Sequence, residues 1–406
     1  MPGSDTDEML ALLATLPAGA LLLRRLGDVP AVYLVGGAVR DLLLGGLPVD
    51  LDLVVDGEME SVTARLGTPA RAHDRFDTGT VVLDGFTYDV ARARRESYTH
   101  PGALPTVEPA PIGVDLLRRD FGVNALALGL GGDTRGRLLE APGGLDDLRA
   151  RRLRVLHDAS FIDDPTRLLR LVRYASRLRF AIEERTMELV RAAVAGRATD
   201  TVSGSRLGAE LRLLAAEPEP VAALRGLAEL EIDELMEPGF GIRTDAAAEA
   251  AERALRLLPV DGDPGAVVLA VATLGLDPGA RGELLDRLAF PAGQRDVIMA
   301  AAERAPSLAE ALAEIAAPSR IAAEVRRAPV EVVALAGALG AEPQARRWLD
   351  ELRHVRLEID GQDLLDAGVE RGPEVGAGLA RALAAKLDGR AAGRAAELAE
   401  ALRRAE

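Results

Sequence analysis

The chain has no cysteine, one lysine (Lys386), one tryptophan and four histidines among 406 residues. Without cysteine there can be no disulfide, no thiolate nucleophile and no thiolate metal ligand. His73, His100, His157 and His354 are too scattered to build an imidazole metal centre. The doublets His73-Asp74 and His157-Asp158 therefore read as surface or capping pairs, not as a metal phosphohydrolase. No stretch reaches the ~18 uncharged apolar residues of a membrane helix. The opening residues also lack the basic start and long apolar run of a secretion signal. The expectation is a soluble, cytoplasmic protein with no membrane partner, and nothing in the sequence points to a protein partner.

Positive charge is in deficit, at a formal net charge of −15. Alone, that argues against a nucleic-acid partner. Binding depends on a local patch, however, and net charge describes the whole surface. The basic residues are almost all arginine, which reads as GC-rich coding bias.

Residues 4–26 read as one amphipathic helix. From Val32 to about Gly144, short β-rich runs (VYLVGG, VDLDLVV, TVVLDG, TYDVA, NALALGL) alternate with Gly, Pro and Asp. After Leu145 the spacing is helical, with breaks near 196, 218, 238, 264, 278, 291, 318 and 340. Trp348 and Phe290 sit in helical patterns and read as core. The fold class is an α/β head followed by an all-α arm.

Four segments carry chemistry. In YLVGGAVRDLLLGGLPVDLDLVVDG (33–57), a strand turns through Gly36 and Gly37 into a helix. Glycines let backbone N–H groups approach an anion, and Arg40 adds a charged fork. Asp50 and Asp52, two apart in an extended run, share a strand face. Paired carboxylates beside a phosphate cradle suit Mg²⁺. In YDVARARRESY (88–98), Asp89 supplies the third carboxylate of two-metal phosphoryl transfer. In DLLRRDFGVNALAL (115–128), Arg119 can hold a triphosphate while Asp120 and Asn124 hydrogen-bond ribose hydroxyls; a helix-end ion pair is the alternative. In DDPTRLLRLVRYASRLRF (163–180), Pro165 fits the first helical position with Asp164 as N-cap. Arg167, Arg170, Arg173 and Arg177 recur on one face, which by itself reads as a solvated basic face.

In this order the four segments resemble the class II tRNA nucleotidyltransferase and bacterial poly(A) polymerase family, with its G-G-x-V-R-D…D-x-D, R-R-D-x-x-x-N-A and E/D-D-x-x-R signatures. GGLDDLRARRLRVLH (143–157), SGSRLGAELRLL (203–214) and residues 357–389 add to the likeness. The resemblance implies a polymerase-β-like nucleotidyltransferase head in a seahorse-shaped molecule. Its parts would be an N-terminal helix (1–30), a catalytic head (31–157), a neck (158–240) for base recognition and RNA binding, a body (241–345) and a tail (346–406). Asp50 and Asp52 would bind metal, with Asp89 as third carboxylate. Gly36, Gly37, Arg40, Arg119, Asp120 and Asn124 would hold triphosphate and ribose. Asp164 and Arg167 would read the base, supported by Arg170 and Arg173. The sequence departs from the family at Gly122, where Thr is usual, at Glu140-Ala141 and at Asp163. Gly122 implies a looser backbone beside Arg119.

The expected activity is addition of C and/or A to the 3′ acceptor end of tRNA from CTP and ATP. CC-only or A-only addition, poly(A) synthesis and a non-catalytic RNA-binding relative are the alternatives. Asp164 accepts hydrogen bonds and Arg167 donates them. Side by side they complement the pairing edges of cytosine and adenine and oppose those of uracil and guanine. Positive potential is expected near Arg170, Arg173 and Arg177.

Overall fold

Residues 4–26 form two helices, α1 (Ser4–Thr15) and α2 (Pro17–Leu26), where one was expected. The bend between them is 118°. Pro17 has no amide hydrogen and holds Leu16 extended (φ −80°, ψ 130°), so it starts a new helix. No single helix among the described residues is long and apolar enough to cross a membrane. Leu13, Leu22 and Leu26 of the bent pair are fully buried.

The structure is a computed structural model that describes residues 4–67, 71–73 and 78–403; Asp74 lies outside them. Two units pack separately, Met1–Ser203 and Gly204–Glu406.

The first unit continues with β1 (Val32–Val35), α3 (Gly37–Leu43), β2 (Asp52–Val55), α4 (Glu60–Leu66), β3 (Arg71–His73), β4 (Thr78–Leu83) and β5 (Phe86–Arg92). Next come β6 (Arg94–Ser97), β7 (Thr106–Pro109), α5 (Ile112–Leu117), β8 (Leu126–Gly129), β9 (Leu138–Glu140), α6 (Gly144–Arg149) and β10 (Arg152–Leu153). The unit ends with α7 (Ser160–Asp163), α8 (Thr166–Leu178), β11 (Ala181–Ile182) and α9 (Glu184–Ala195). One seven-stranded sheet has the order β3-β4-β5-β2-β1-β8-β9. Only its β2–β5 pair is parallel.

Alternation along the strands gives the sheet two apolar faces. Tyr33, Val35 and Val54 pack on one face with Ile112 and Leu116 of α5. On the other, buried Tyr88 donates its hydroxyl to the Ala18 carbonyl of α2 at 3.0 Å. Asp52 lies two residues before Val54, and so faces the α5 side.

The second unit is helical: α10 (Gly204–Ala215), α11 (Pro220–Glu229), α12 (Asp233–Met236), α13 (Asp245–Leu257), α14 (Pro264–Ala272), α15 (Pro278–Arg287) and α16 (Ala292–Ala313). It continues through α17 (Pro318–Glu324), α18 (Val330–Ala336), α19 (Glu342–Asp350), α20 (Gly361–Asp366), α21 (Pro373–Leu387) and α22 (Arg394–Leu402). Asp263 and Asp277 cap α14 and α15, each with Pro at the first turn. Phe290 is buried under the Arg212 guanidinium, 5.2 Å from its ring centre; Trp348 is half-buried. In the last three helices, Ile359, Leu364, Ala382 and Ala401 form a small core. Beside it Lys386 donates to the fully buried Glu397 at 2.6 Å.

Candidate active site

The turn after β1 positions the site. Gly36 adopts φ 70°, ψ −132°, a conformation open chiefly to glycine, and α3 starts at the next residue. A Cβ at Gly36 would lie 3.2 Å from Nη1 of Arg119, so its absence also lets that guanidinium lie against the turn. Arg119 donates from Nη2 to Asp115 at 3.0 Å, and its Nε is buried with no hydrogen-bond partner among the described residues. Burial holds Arg119 below the usual guanidinium value, opposed by the charge of Asp115.

Asp52 and Asp89 are register partners across the parallel β2–β5 pair, and Thr80 is the partner of Asp89 across β4–β5. The three stand abreast on one sheet face. Thr80 donates its hydroxyl to Asp89 Oδ1 at 2.7 Å. With Arg118 and Arg119 they line a cleft of about 400 Å³. Both carboxylates keep solvent access. The Asp52 carboxyl is nevertheless pushed up, first by burial in the cleft, then by the charges of Asp89 and Asp50. The sequence put Asp50 on the same strand face as Asp52, but β2 begins only at Asp52, leaving Asp50 exposed in the segment before it. Pro48 lies in that segment, where its missing amide hydrogen cannot join a ladder.

Two buried acids, which the sequence reading left without a role, order the arginines of the cleft. Asp115 is fully buried and accepts from Arg118 Nε (2.9 Å), Arg119 Nη2 (3.0 Å) and the Arg94 amide (3.2 Å). Its spacing to Arg118 and Arg119, three and four along a helix, was a readable signal. Glu96 accepts from Arg94 (3.1 Å), Arg118 (2.8 Å) and the Tyr98 hydroxyl (3.1 Å). Burial and the Glu96 charge push the Tyr98 phenol up to about 12.

Arg40, Asp120 and Asn124 meet in a buried network. Arg40, only 3% exposed, donates to Asn124 Oδ1 at 2.6 Å and to Asp41 at 2.7 Å. Asn124 donates to Asp120 at 3.1 Å, and Asp120 accepts from Arg170 at 2.6 Å. Burial works to raise the Asp120 carboxyl. The Arg170 charge, with bonds from Arg170 and Asn124, outweighs it and holds Asp120 below the usual carboxylate value. Asn124 thus links Arg40 to Asp120, with Asp41 and Arg170 anchoring the two ends, and the Arg40 guanidinium lies beside Gly37, 3.4 Å from where a Cβ would stand.

The arginine face of α8 is solvated only at Arg177, with Arg170 half-buried. Arg167 and Arg173 are 5% and 7% exposed. Arg167 donates to Ser160 Oγ and to the Arg118 carbonyl, both at 2.7 Å. Arg170 reaches Asp120, and Arg40, Arg170 and Arg173 surround the Tyr174 ring at 5.6, 5.7 and 4.8 Å. The expected open positive patch at Arg170 and Arg173 is therefore an internal arginine–aromatic cluster; only Arg177 of the set is exposed. Asp164 is extended, Pro165 is helical, and Asp164 Oδ1 accepts from the Thr166 amide at 3.1 Å, which is the N-cap bond. His157 stands 3.9 Å from Asp163, and Asp158 pairs with Arg185 on the surface at 2.7 Å.

Gly122, where the family usually has Thr, has a local cause. A Cβ there would sit 2.6 Å from Oδ2 of Asp147, a fully buried carboxylate held by Arg152 (2.6 Å) and Arg154 (2.7 Å). The glycine makes room for this ion pair, so the backbone next to Arg119 is packed, not loose.

Residues 32–154 match the poly A polymerase head domain. The CC-adding tRNA nucleotidyltransferase of Deinococcus radiodurans is 38% identical over 355 residues, covering 80% of this chain and 94% of the relative. The A-adding tRNA nucleotidyltransferase of Geobacter sulfurreducens is 41% identical over 227 residues; the match takes in 53% of this chain but only 26% of that longer protein. The structure of the Thermotoga maritima CCA-adding enzyme complexed with tRNA superposes with a TM-score of 0.79 at 31% identity, over 97% of this chain and 98% of that one. The chain belongs to the tRNA nucleotidyltransferase family, whose catalytic head is the poly A polymerase head domain.

Proposed function

We propose that this chain adds C and/or A to the 3′ end of tRNA from CTP and ATP, without a template, in the cytoplasm. The observation that carries this reading is the in-register pair Asp52 and Asp89, sharing one cleft with Arg119, whose guanidinium lies against the Gly36 turn. The near full-length likeness to tRNA-adding enzymes supports the choice of substrate.

The donor set fits Mg²⁺. Among the described residues no three carboxylate or imidazole groups could hold a metal on their own. Mg²⁺ commonly takes one or two carboxylates and completes its shell with substrate phosphates and water. Burial and then the charges of Asp89 and Asp50 push Asp52 up, and a divalent cation offsets that charge crowding. Asp50 and Asp52 would hold the metal, with Asp89 as third carboxylate. When bound, Mg²⁺ supplies a lowered pKa for the attacking hydroxyl and charge neutralisation on the triphosphate.

The chain's own groups do the rest. Gly36 and Gly37 open the backbone to the triphosphate, and Arg119 pairs with it. The RNA 3′-oxygen forms a bond to the α-phosphorus while the bond to the β-phosphate bridge breaks, releasing pyrophosphate. Asp89 would assist deprotonation of that hydroxyl. Asp164 and Arg167 read the base, Arg167 being fixed by Ser160 and the Arg118 carbonyl. Arg40, Asp120, Asn124, Arg170 and Arg173 keep this frame in place. In this reading 31–157 act as head, 158–240 as neck, 241–345 as body and 346–406 as tail.

A second reading, CC addition alone, is favoured by the nearly full span of the Deinococcus radiodurans CC-adding relative. The test is incubation with tRNA ending at the discriminator base, with CTP and ATP separately and together, and sequencing of the products. CCA ends support the first reading and CC ends the second. No extension of any tRNA would overturn both.

A further inference from the structure

Thr80 has no role in the reading above, yet it is built into the catalytic face. It stands in register with Asp89, which stands in register with Asp52, so the hydroxyl and two carboxylates form one row across β4, β5 and β2. All three line the same cleft. Thr80 Oγ1 donates to Asp89 Oδ1 at 2.7 Å, a well-formed hydroxyl hydrogen bond. Among the described residues this is the only hydrogen bond made by the Asp89 carboxylate. A carboxylate on an open strand face has a broad, roughly two-fold terminal torsion and no preferred orientation of its own. The hydroxyl removes that freedom.

We propose that Thr80 is the positioning residue of the metal site: it occupies Oδ1 of Asp89 and orients the carboxylate so that Oδ2 is the oxygen offered to the divalent cation shared with Asp52. The proposal rests on the metal assignment made above. Groups that orient metal ligands typically change metal affinity by about 10- to 100-fold when removed. A cross-strand Thr is suited to the task, because β-branching restricts its χ1 and the strand backbone fixes where the hydroxyl points.

The test uses Mn²⁺ binding to the full chain without nucleotide, followed by electron paramagnetic resonance, for wild type, Thr80→Val, Thr80→Ala, Thr80→Ser and Asp89→Ala. Thr80→Val keeps the shape and loses the donor; Thr80→Ala does so with less demand on packing, should Val perturb the strand. The expected result is Mn²⁺ affinity reduced by about 10-fold in Val and Ala and restored in Ser. The Mg²⁺ concentration for half-maximal addition should shift in parallel. If Asp89→Ala weakens Mn²⁺ but both donorless variants bind like wild type, the Thr80 proposal fails alone. If Asp89→Ala itself binds like wild type, Asp89 is not a ligand and the Thr80 proposal falls, while the assignment of the metal to Asp50 and Asp52 stands.

Discussion

Asp52 and Asp89 are 37 residues apart in the chain and directly opposite one another in the sheet, on the only neighbouring strands among the described seven that pair in parallel. Neighbouring strands lie ~4.8 Å apart, so like charges are held at close quarters on one face. Burial in the cleft first, and then this charge, raises the Asp52 carboxyl. A carboxyl raised in the folded state contributes most when protonated, and that contribution is lost as pH rises through the raised value. Asp52→Asn should therefore unfold at a higher temperature than wild type at about pH 7.5 without divalent metal. The difference should shrink toward pH 4 and on adding Mg²⁺ to wild type. Nucleotide addition should fall by on the order of 10³-fold. Thermal melts at the two pH values and a primer-extension assay check both halves; an Asn variant less stable than wild type at neutral pH contradicts the argument.

Breaking the Asp120–Arg170 pair should be costly. Arg170→Met leaves a buried carboxylate without its charge partner, and such losses run to ~3 kcal/mol. The pH dependence has the opposite sign to that of Asp52. Asp120 is depressed in the folded state, so its pairing contributes fully above the ordinary carboxylate value and is lost as pH falls through the depressed one. Urea unfolding of wild type and variant should show the gap narrowing below about pH 4.

Restoring the family's usual residue at position 122 should harm this protein. Gly122→Thr drives a Cβ toward Asp147 Oδ2, which Arg154 holds in place. The expected cost is about 1–3 kcal/mol. A matching Asp147→Ala change should relieve the clash but strand Arg152 and Arg154. A double-mutant cycle on melting temperature measures the coupling, and strictly additive effects would contradict it.

Arg167→Ala should lose base selectivity as well as rate, whereas Asp52→Ala should lose rate alone. A mismatched base leaves buried polar groups unpaired at about 1–3 kcal/mol each. Incorporation of each NTP onto tRNA ending in CC tests this. A variant that still rejects UTP and GTP like wild type reads the base elsewhere.

Much of this was legible because local chemistry announces itself. Pro264, Pro278 and Pro318 stand at first helical turns, and Gly340 takes φ 143° at the break expected near 340. The Gly36 turn, the carboxylates and the Asp164 cap are short-range signals of the same kind. What stayed hidden depends on distant partners. The spacing of Arg167, Arg170 and Arg173 puts them on one face of α8, but not that the face is buried: their partners, Asp120 and the Arg118 carbonyl, lie about 50 residues upstream. Thr80 is invisible for the same reason, since its meaning depends on the β4–β5 register. Pro306 sits inside α16 without ending it, and no break was read there.

The Lys386–Glu397 contact has a practical consequence. With one lysine in 406 residues, amine-reactive reagents meet a single internal target, and that amine is clamped to a buried carboxylate. The Glu397 bond keeps it protonated beyond the usual lysine range, and the protonated amine is not nucleophilic. Acylation at this position is therefore a reporter: slow while the last three helices are packed, fast once they loosen, and readable on the one lysine-containing peptide without any engineered label.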